Sequence, residues 1–118
     1  MATLLPFLRV PDMVKTLQWY INIGFNCIAT HEEPGCAIDW ALLDWQGARF
    51  MLYPHLQKTI PDAYNSGLYF QMENVDGLLE KLQPHANVFE VVEQTEYGRK
   101  EITFYDCNNF QVTFSCEP

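Results

Sequence analysis

Leu5-Pro6-Phe7-Leu8-Arg9-Val10-Pro11-Asp12 is answered sixty-two residues later by Gly67-Leu68-Tyr69-Phe70-Gln71-Met72-Glu73-Asn74. Each stretch is an apolar run that alternates as a strand does and closes on a residue able to cap a following helix. The same offset carries the turn and strand Asp44-Trp45-Gln46-Gly47-Ala48-Arg49-Phe50-Met51-Leu52 onto Asp106-Cys107-Asn108-Asn109-Phe110-Gln111-Val112-Thr113-Phe114. A period this long exceeds one solenoid unit and points to two copies of a small α+β module.

The rest of the chain fits two β-α-β-β-β modules. Residues 3–10 read as a strand, and Asp12 caps a helix over 13–23 that carries Leu17, Tyr20 and Ile21 at helical spacing and stops at Gly24. Strands follow over 25–30, 37–43 and 48–53, with His31-Glu32-Glu33-Pro34-Gly35 as a loop. A Pro-bearing linker over 54–66 leads to a strand over 68–72, an Asn74-capped helix over 75–82, and strands over 88–92, 101–105 and 110–116. The expected fold class is α+β, with mixed, mostly antiparallel sheets forming a cup. It makes one domain over 1–118, with module one at 1–57 and module two at 63–118. Halves of about 60 residues are marginal alone, so a shared core is expected.

Strand alternation sorts the residues onto two faces. Phe50, Leu52, Phe70, Ile102, Phe104, Val112 and Phe114 belong to the core, and Trp40 joins them if the offset of 62 holds throughout. The opposite face receives Phe7, Arg9, Met51, Tyr53, Tyr69, Gln71, Glu101, Thr103, Tyr105 and Thr113. That mixture of aromatic and polar groups suits an amphipathic ligand better than a dry core or a solvated sheet. These ten residues are the candidate ligand-binding set. Trp19 and Tyr20 are expected to pack on the sheet, and Trp45 to sit in a turn, exposed or at a subunit contact.

Composition narrows the function further. The net charge of −8, with only seven unclustered Lys and Arg, argues against nucleic acid and favours cationic ligands. No apolar run reaches the roughly 20 residues of a membrane span, and 4–8 is too short for a signal-peptide core, so a cytoplasmic protein is expected. Cys27, Cys36, Cys107 and Cys116 form no CxxC pair and read as reduced, partly buried thiols.

Phe7-Leu8-Arg9-Val10-Pro11-Asp12, Trp19-Tyr20, Gly24-Phe25, Thr95-Glu96-Tyr97-Gly98-Arg99-Lys100-Glu101 and Asp106-Cys107-Asn108-Asn109 occur in that order. As a set they resemble the glyoxalase, bleomycin-resistance and extradiol-dioxygenase superfamily, the vicinal oxygen chelate proteins. The resemblance implies a homodimer with ligand cavities near the subunit interface. In metal-using members, four cup-facing positions hold the ion, and here they fall on Leu5, Met51, Gly67 and Thr113. None is His, Glu, Gln or Asp: Leu, Gly and Met offer no ligand that suits a hard divalent ion and Thr113 alone could not hold one, so no metal and no cofactor are expected. His31 with Glu32 and Glu33, His55 and His85 read as surface groups. Asp106, like Asp44, reads as a turn residue pointing away from Glu101.

The character is closest to the metal-free bleomycin-resistance-like members, which implies sequestration of a small amphipathic ligand, aromatic and cationic. The alternative is a lyase, isomerase or dioxygenase-like enzyme with relocated catalytic groups, for which Glu101, Tyr69 and Arg9 are the candidates. A dimeric assembly module without ligand is a third reading. On the cup face, Glu101 could hold a cation, serve as a base, or pair with Arg9 or Lys100.

Overall fold

The computed structural model describes residues 1–55 and 67–118, so the part of the expected linker at 56–66 lies outside the described residues. The chain divides into two compact units, Met1–Pro61 and Asp62–Pro118. Unit one runs β1 (Phe7–Val10), α1 (Met13–Ile23), β2 (Asn26–Glu32), β3 (Ile38–Trp45) and β4 (Ala48–Pro54). Unit two runs β5 (Gly67–Gln71), α2 (Leu78–Leu82), β6 (Asn87–Val92), β7 (Lys100–Tyr105) and β8 (Gln111–Cys116). Each builds a four-stranded sheet, in the orders β1-β4-β3-β2 and β5-β8-β7-β6. The first strand of each sheet is parallel to the last, and the remaining neighbours are antiparallel. The α+β reading with two β-α-β-β-β modules is the observed architecture.

α1 begins and ends where its sequence dictates. The Asp12 carboxylate accepts the Lys15 N–H at 3.0 Å, and Gly24, at φ 114°, closes the C-terminus in a left-handed conformation. Met13, Thr16, Tyr20 and Ile23 form its buried stripe. Tyr20 meets Phe25 and Phe50 edge-on at centroid separations of 5.0 and 5.2 Å. Beneath lie Ala41, Leu43, Phe50 and Leu52, all essentially inaccessible. In unit two the core is Phe70, Val75, Leu82, Ile102, Phe104, Val112 and Phe114.

The second helix departs from expectation. Asn74 accepts the Asp76 N–H at 3.2 Å and makes a local turn instead of a cap. Gly77 then sits at φ 78°, outside the helical region, so α2 spans only Leu78–Leu82. Val75 remains buried although it precedes the helix. β1 is likewise shorter than the 3–10 run and starts after Pro6, whose carbonyl still accepts the Met51 N–H at 2.9 Å. His31 and Glu32 belong to β2 and not to a loop.

The two hairpins preceding the last strands differ by one residue. Gln46 and Gly47, at φ 51° and 91°, close β3–β4 as a two-residue loop of type I′ character. In unit two the loop holds three residues, 107–109, between Asp106 and Phe110, with Asn109 at φ 68°. The Asp106 carboxylate accepts the Asn108 and Phe110 N–H groups, as its turn assignment requires. β3 therefore matches β7 at an offset of 61, whereas β4 matches β8 at 62. That single residue moves Trp40 off the core face, and Trp45 becomes the buried end of β3, its ring 4.9 Å from Phe25.

Truncation at this core should be costly. Phe50→Ala is expected to destabilise by about 3–5 kcal/mol and Asp12→Ala by about 1 kcal/mol. Urea unfolding of both variants measures the difference, with the Phe50 variant the more damaged.

Candidate functional site

The face left uncovered by each helix is the one on which the sequence placed the candidate residues. In unit one the register pairs Phe7 with Met51, Arg9 with Tyr53 and Met51 with Leu42, so these side chains share a face. Phe7 and Tyr53 meet edge-on, centroids 5.4 Å apart. The Arg9 guanidinium lies 5.5 Å from the Phe7 ring centre and 5.4 Å from that of Tyr53. It also donates to the Pro54 carbonyl at 3.1 Å. Such cation–aromatic packing is worth about 0.5–2 kcal/mol and holds both rings in place.

Beside them, Thr30, His31, Asp39, Trp40 and Tyr53 line an open groove of about 550 Å³. His31 Nδ1 lies 2.7 Å from Asp39 Oδ1, and Nε2 lies 3.6 Å from Glu33. Sequence reading set His31 aside as a loop residue and counted Trp40 in the core. The signal for Trp40 was the hairpin: Gln46-Gly47 is a two-residue turn, whereas 107–109 is a three-residue one.

In unit two the register puts Gly67, Tyr69 and Gln71 beside Gln111, Thr113 and Ser115, and those beside Tyr105, Thr103 and Glu101. Thr103 and Thr113, both buried, share a hydroxyl hydrogen bond of 3.1 Å. Tyr105 stacks on Phe89 at 4.5 Å. Glu101 is only 8 % exposed. Of its two expected ion-pair partners, Lys100 turns elsewhere: its ammonium lies 3.7 Å from Asp76 and 3.4 Å from Glu93.

Glu101 is instead surrounded by hydroxyls. Tyr69 donates to Oε2, and the Tyr97 hydroxyl lies 2.8 Å from both carboxylate oxygens. Ser115 Oγ lies 2.8 Å from the Tyr69 oxygen and 3.3 Å from Oε2. Arg99 Nε donates to Ser115 Oγ at 2.6 Å. A phenol has one proton, so with Tyr69 donating to Glu101 the rotatable Ser115 hydroxyl supplies the other bond. These donors satisfy the hydrogen-bonding capacity of the buried carboxylate. Tyr97, Ser115 and Arg99 are the members of this cluster outside the candidate set. Gly98, the reversal before β7, was the available signal for Tyr97.

The four superfamily metal positions can be tested directly. Leu5, Met51 and Thr113 supply no carboxylate or imidazole. A Cβ at Gly67 would stand 2.7 Å from the Gln111 carbonyl oxygen, so no side chain fits there without a backbone shift. Among the described residues, no three His, Cys, Asp or Glu side chains converge to hold a metal ion. The residues present do not fit a divalent ion at these positions.

No protein-family model matches the chain, and no curated protein does. Solved structures do. TioX from Micromonospora sp. ML1 aligns at TM-score 0.80 and 15 % identity, covering 99 % of this chain and 97 % of that one. The fosfomycin resistance protein FosX from Listeria monocytogenes aligns at TM-score 0.77 and 15 % identity, covering 99 % and 94 %. A bleomycin-binding protein complexed with bleomycin aligns at TM-score 0.74 and 12 % identity, over the whole of both chains. The fold is the one that these three structures share. No helix among the described residues is long and apolar enough to cross a membrane.

His31 offers a direct check on the unit-one groove. The hydrogen bond to Asp39, then the charge of that carboxylate, raise its pKa above the ordinary 6.5. The pair's contribution to stability is therefore fully present below pH 6.5 and lost as pH rises through the raised value. NMR titration should place the His31 midpoint above 6.5 and return it towards that value in Asp39→Asn.

Proposed function

We propose that the chain is a metal-free small-molecule-binding protein of the bleomycin-resistance type, working as a cytoplasmic homodimer. It sequesters a small amphipathic compound, aromatic and cationic, with ligand-binding residues Phe7, Arg9, Met51 and Tyr53 in unit one and Tyr69, Gln71, Glu101, Thr103, Tyr105 and Thr113 in unit two.

The observation that carries this reading is the chemistry of these residues within each sheet. Aromatic rings alternate with hydroxyl, amide and charged groups, while the superfamily's metal positions hold Leu5, Met51, Gly67 and Thr113. Polar groups orient a ligand and rings supply most of its contact area, which is the usual division of labour in a small-molecule site. The net charge of −8 favours encounter with cations. The likeness to a bleomycin-binding protein supports the class of function and leaves the compound open.

Enzymatic use would ask Glu101 to take a proton from substrate. Both of its oxygens already accept from hydroxyls, which favours binding over turnover.

Two measurements test the proposal. Metal analysis of protein purified without chelators or a His tag, then offered nickel, zinc, manganese and iron, should find no stoichiometric ion. A panel of amphipathic aromatic cations should include binders, with affinity lowered about 2- to 30-fold by Tyr53→Ala, the worth of one cation–aromatic contact. One tightly held metal per chain, or no binding anywhere in the panel together with no drug tolerance on expression, overturns it.

A further inference from the structure

Tyr97 takes no part in the strand pattern, yet the fold spends a whole turn on aiming it. The Thr95 N–H donates to the Arg99 carbonyl at 2.7 Å, the Gly98 N–H to the Thr95 carbonyl at 3.0 Å, and the Arg99 N–H to the Thr95 hydroxyl at 3.0 Å. Gly98 stands at φ 78°, the left-handed region that suits glycine. The turn carries Tyr97 back over β7, where its hydroxyl reaches the carboxylate four residues on. Tyr69 arrives at the same carboxylate from β5.

Two phenols are thus tied by their hydroxyls to one buried anion, while their rings stay in solvent, 49 % exposed for Tyr69 and 66 % for Tyr97. Anchored hydroxyls with free ring faces are the opposite of what core tyrosines show. A phenol that donates to a carboxylate is polarised towards phenolate, which makes its ring face a better seat for positive charge. The carboxylate oxygens are already engaged, so an ammonium that must itself donate N–H bonds finds few acceptors here. A cation without N–H groups needs none.

We propose that Tyr69 and Tyr97 form an aromatic clamp for a trimethylammonium-type cation, with Glu101 as the positioning residue that holds both phenols without touching the ligand. The clamp rests on the small-molecule-binding reading above and names the cation that reading takes. Charge at the site agrees. The adjoining groove is lined by Gln71, Met72, Glu73, Arg99 and Glu117. With Glu101 this sets three carboxylates against one guanidinium, whose Nε is spent on Ser115.

The test compares benzyltrimethylammonium with its neutral isostere, in which carbon replaces the quaternary nitrogen, by calorimetric titration of the full chain. The cation should bind about 2- to 30-fold more tightly. Tyr69→Leu and Tyr97→Leu should each remove that preference. Glu101→Gln should weaken it, with partial rescue in Glu101→Asp. A spectroscopic signature separates positioning from mere structure. The hydrogen bond to Glu101, then burial and the nearby charge, push the Tyr97 pKa up to about 12. Ultraviolet phenolate titration should return it towards the ordinary value of about 10 in Glu101→Gln.

Equal affinity for the two probes in the wild type overturns the clamp and leaves small-molecule binding standing. No binding of either probe or of any panel compound overturns both. An unchanged preference in Glu101→Gln overturns the positioning role of Glu101. Should that variant fail to fold, Tyr97→Phe, altered only at the hydroxyl, carries the test: full wild-type preference there also overturns that role.

Discussion

Adjacent residues of a strand must point to opposite faces, and in each sheet one face is committed to burial. Ala41, Leu43, Phe50 and Leu52 pack with the α1 stripe of unit one. Phe70, Phe104, Val112 and Phe114 do the same for unit two. A slip of one residue would send every one of them to solvent, so the hydrophobic effect pins the register strongly. The character of the other face follows from that commitment. Arg9, Tyr53, Tyr69 and Glu101 are where they are because Val10, Leu52, Phe70 and Ile102 are buried.

The two modules repeat a plan and not a chemistry. Unit one holds its aromatics with a guanidinium packed against both Phe7 and Tyr53. Unit two holds Tyr69 and Tyr97 with a carboxylate. One residue more in the second hairpin sets Trp40 and Glu101 at equivalent positions of β3 and β7. An aromatic ring and a buried acid thus occupy the same place in the two sheets. The shared geometry leaves each functional face free to be chemically distinct, in keeping with a fold that hosts many unrelated activities.

Burial of Glu101 shows how a polar group can be structural and functional together. An isolated carboxylate in such a place would shift its proton equilibrium or unfold its surroundings. Hydroxyl donors from β5 and the turn before β7 converge on it instead, with the Ser115 hydroxyl of β8 bonded to Tyr69 beside it. Removing one of them would leave the acceptor undersatisfied, so the cluster is expected to behave as a unit. Arg99 extends it through Ser115 to the neighbouring groove.

Alternation, capping and turn chemistry are local, and what they control was legible in the sequence. They include the order of elements, the bounds of α1 from Asp12 to Gly24, and the alternation that buries Val10, Leu52, Phe70 and Phe104. Errors arose where a single residue changes a count. Gly77 cut the second helix short, and the unequal hairpins moved Trp40 to the uncovered face and buried Trp45. Tertiary structure alone decided which side chains meet. The Tyr97 phenol on Glu101, the imidazole of His31 on Asp39 and the Arg9 guanidinium against the Tyr53 ring each join different strands or cross a turn. Such contacts depend on register and loop geometry set by the packed core. Periodicity along one strand carries no information about them.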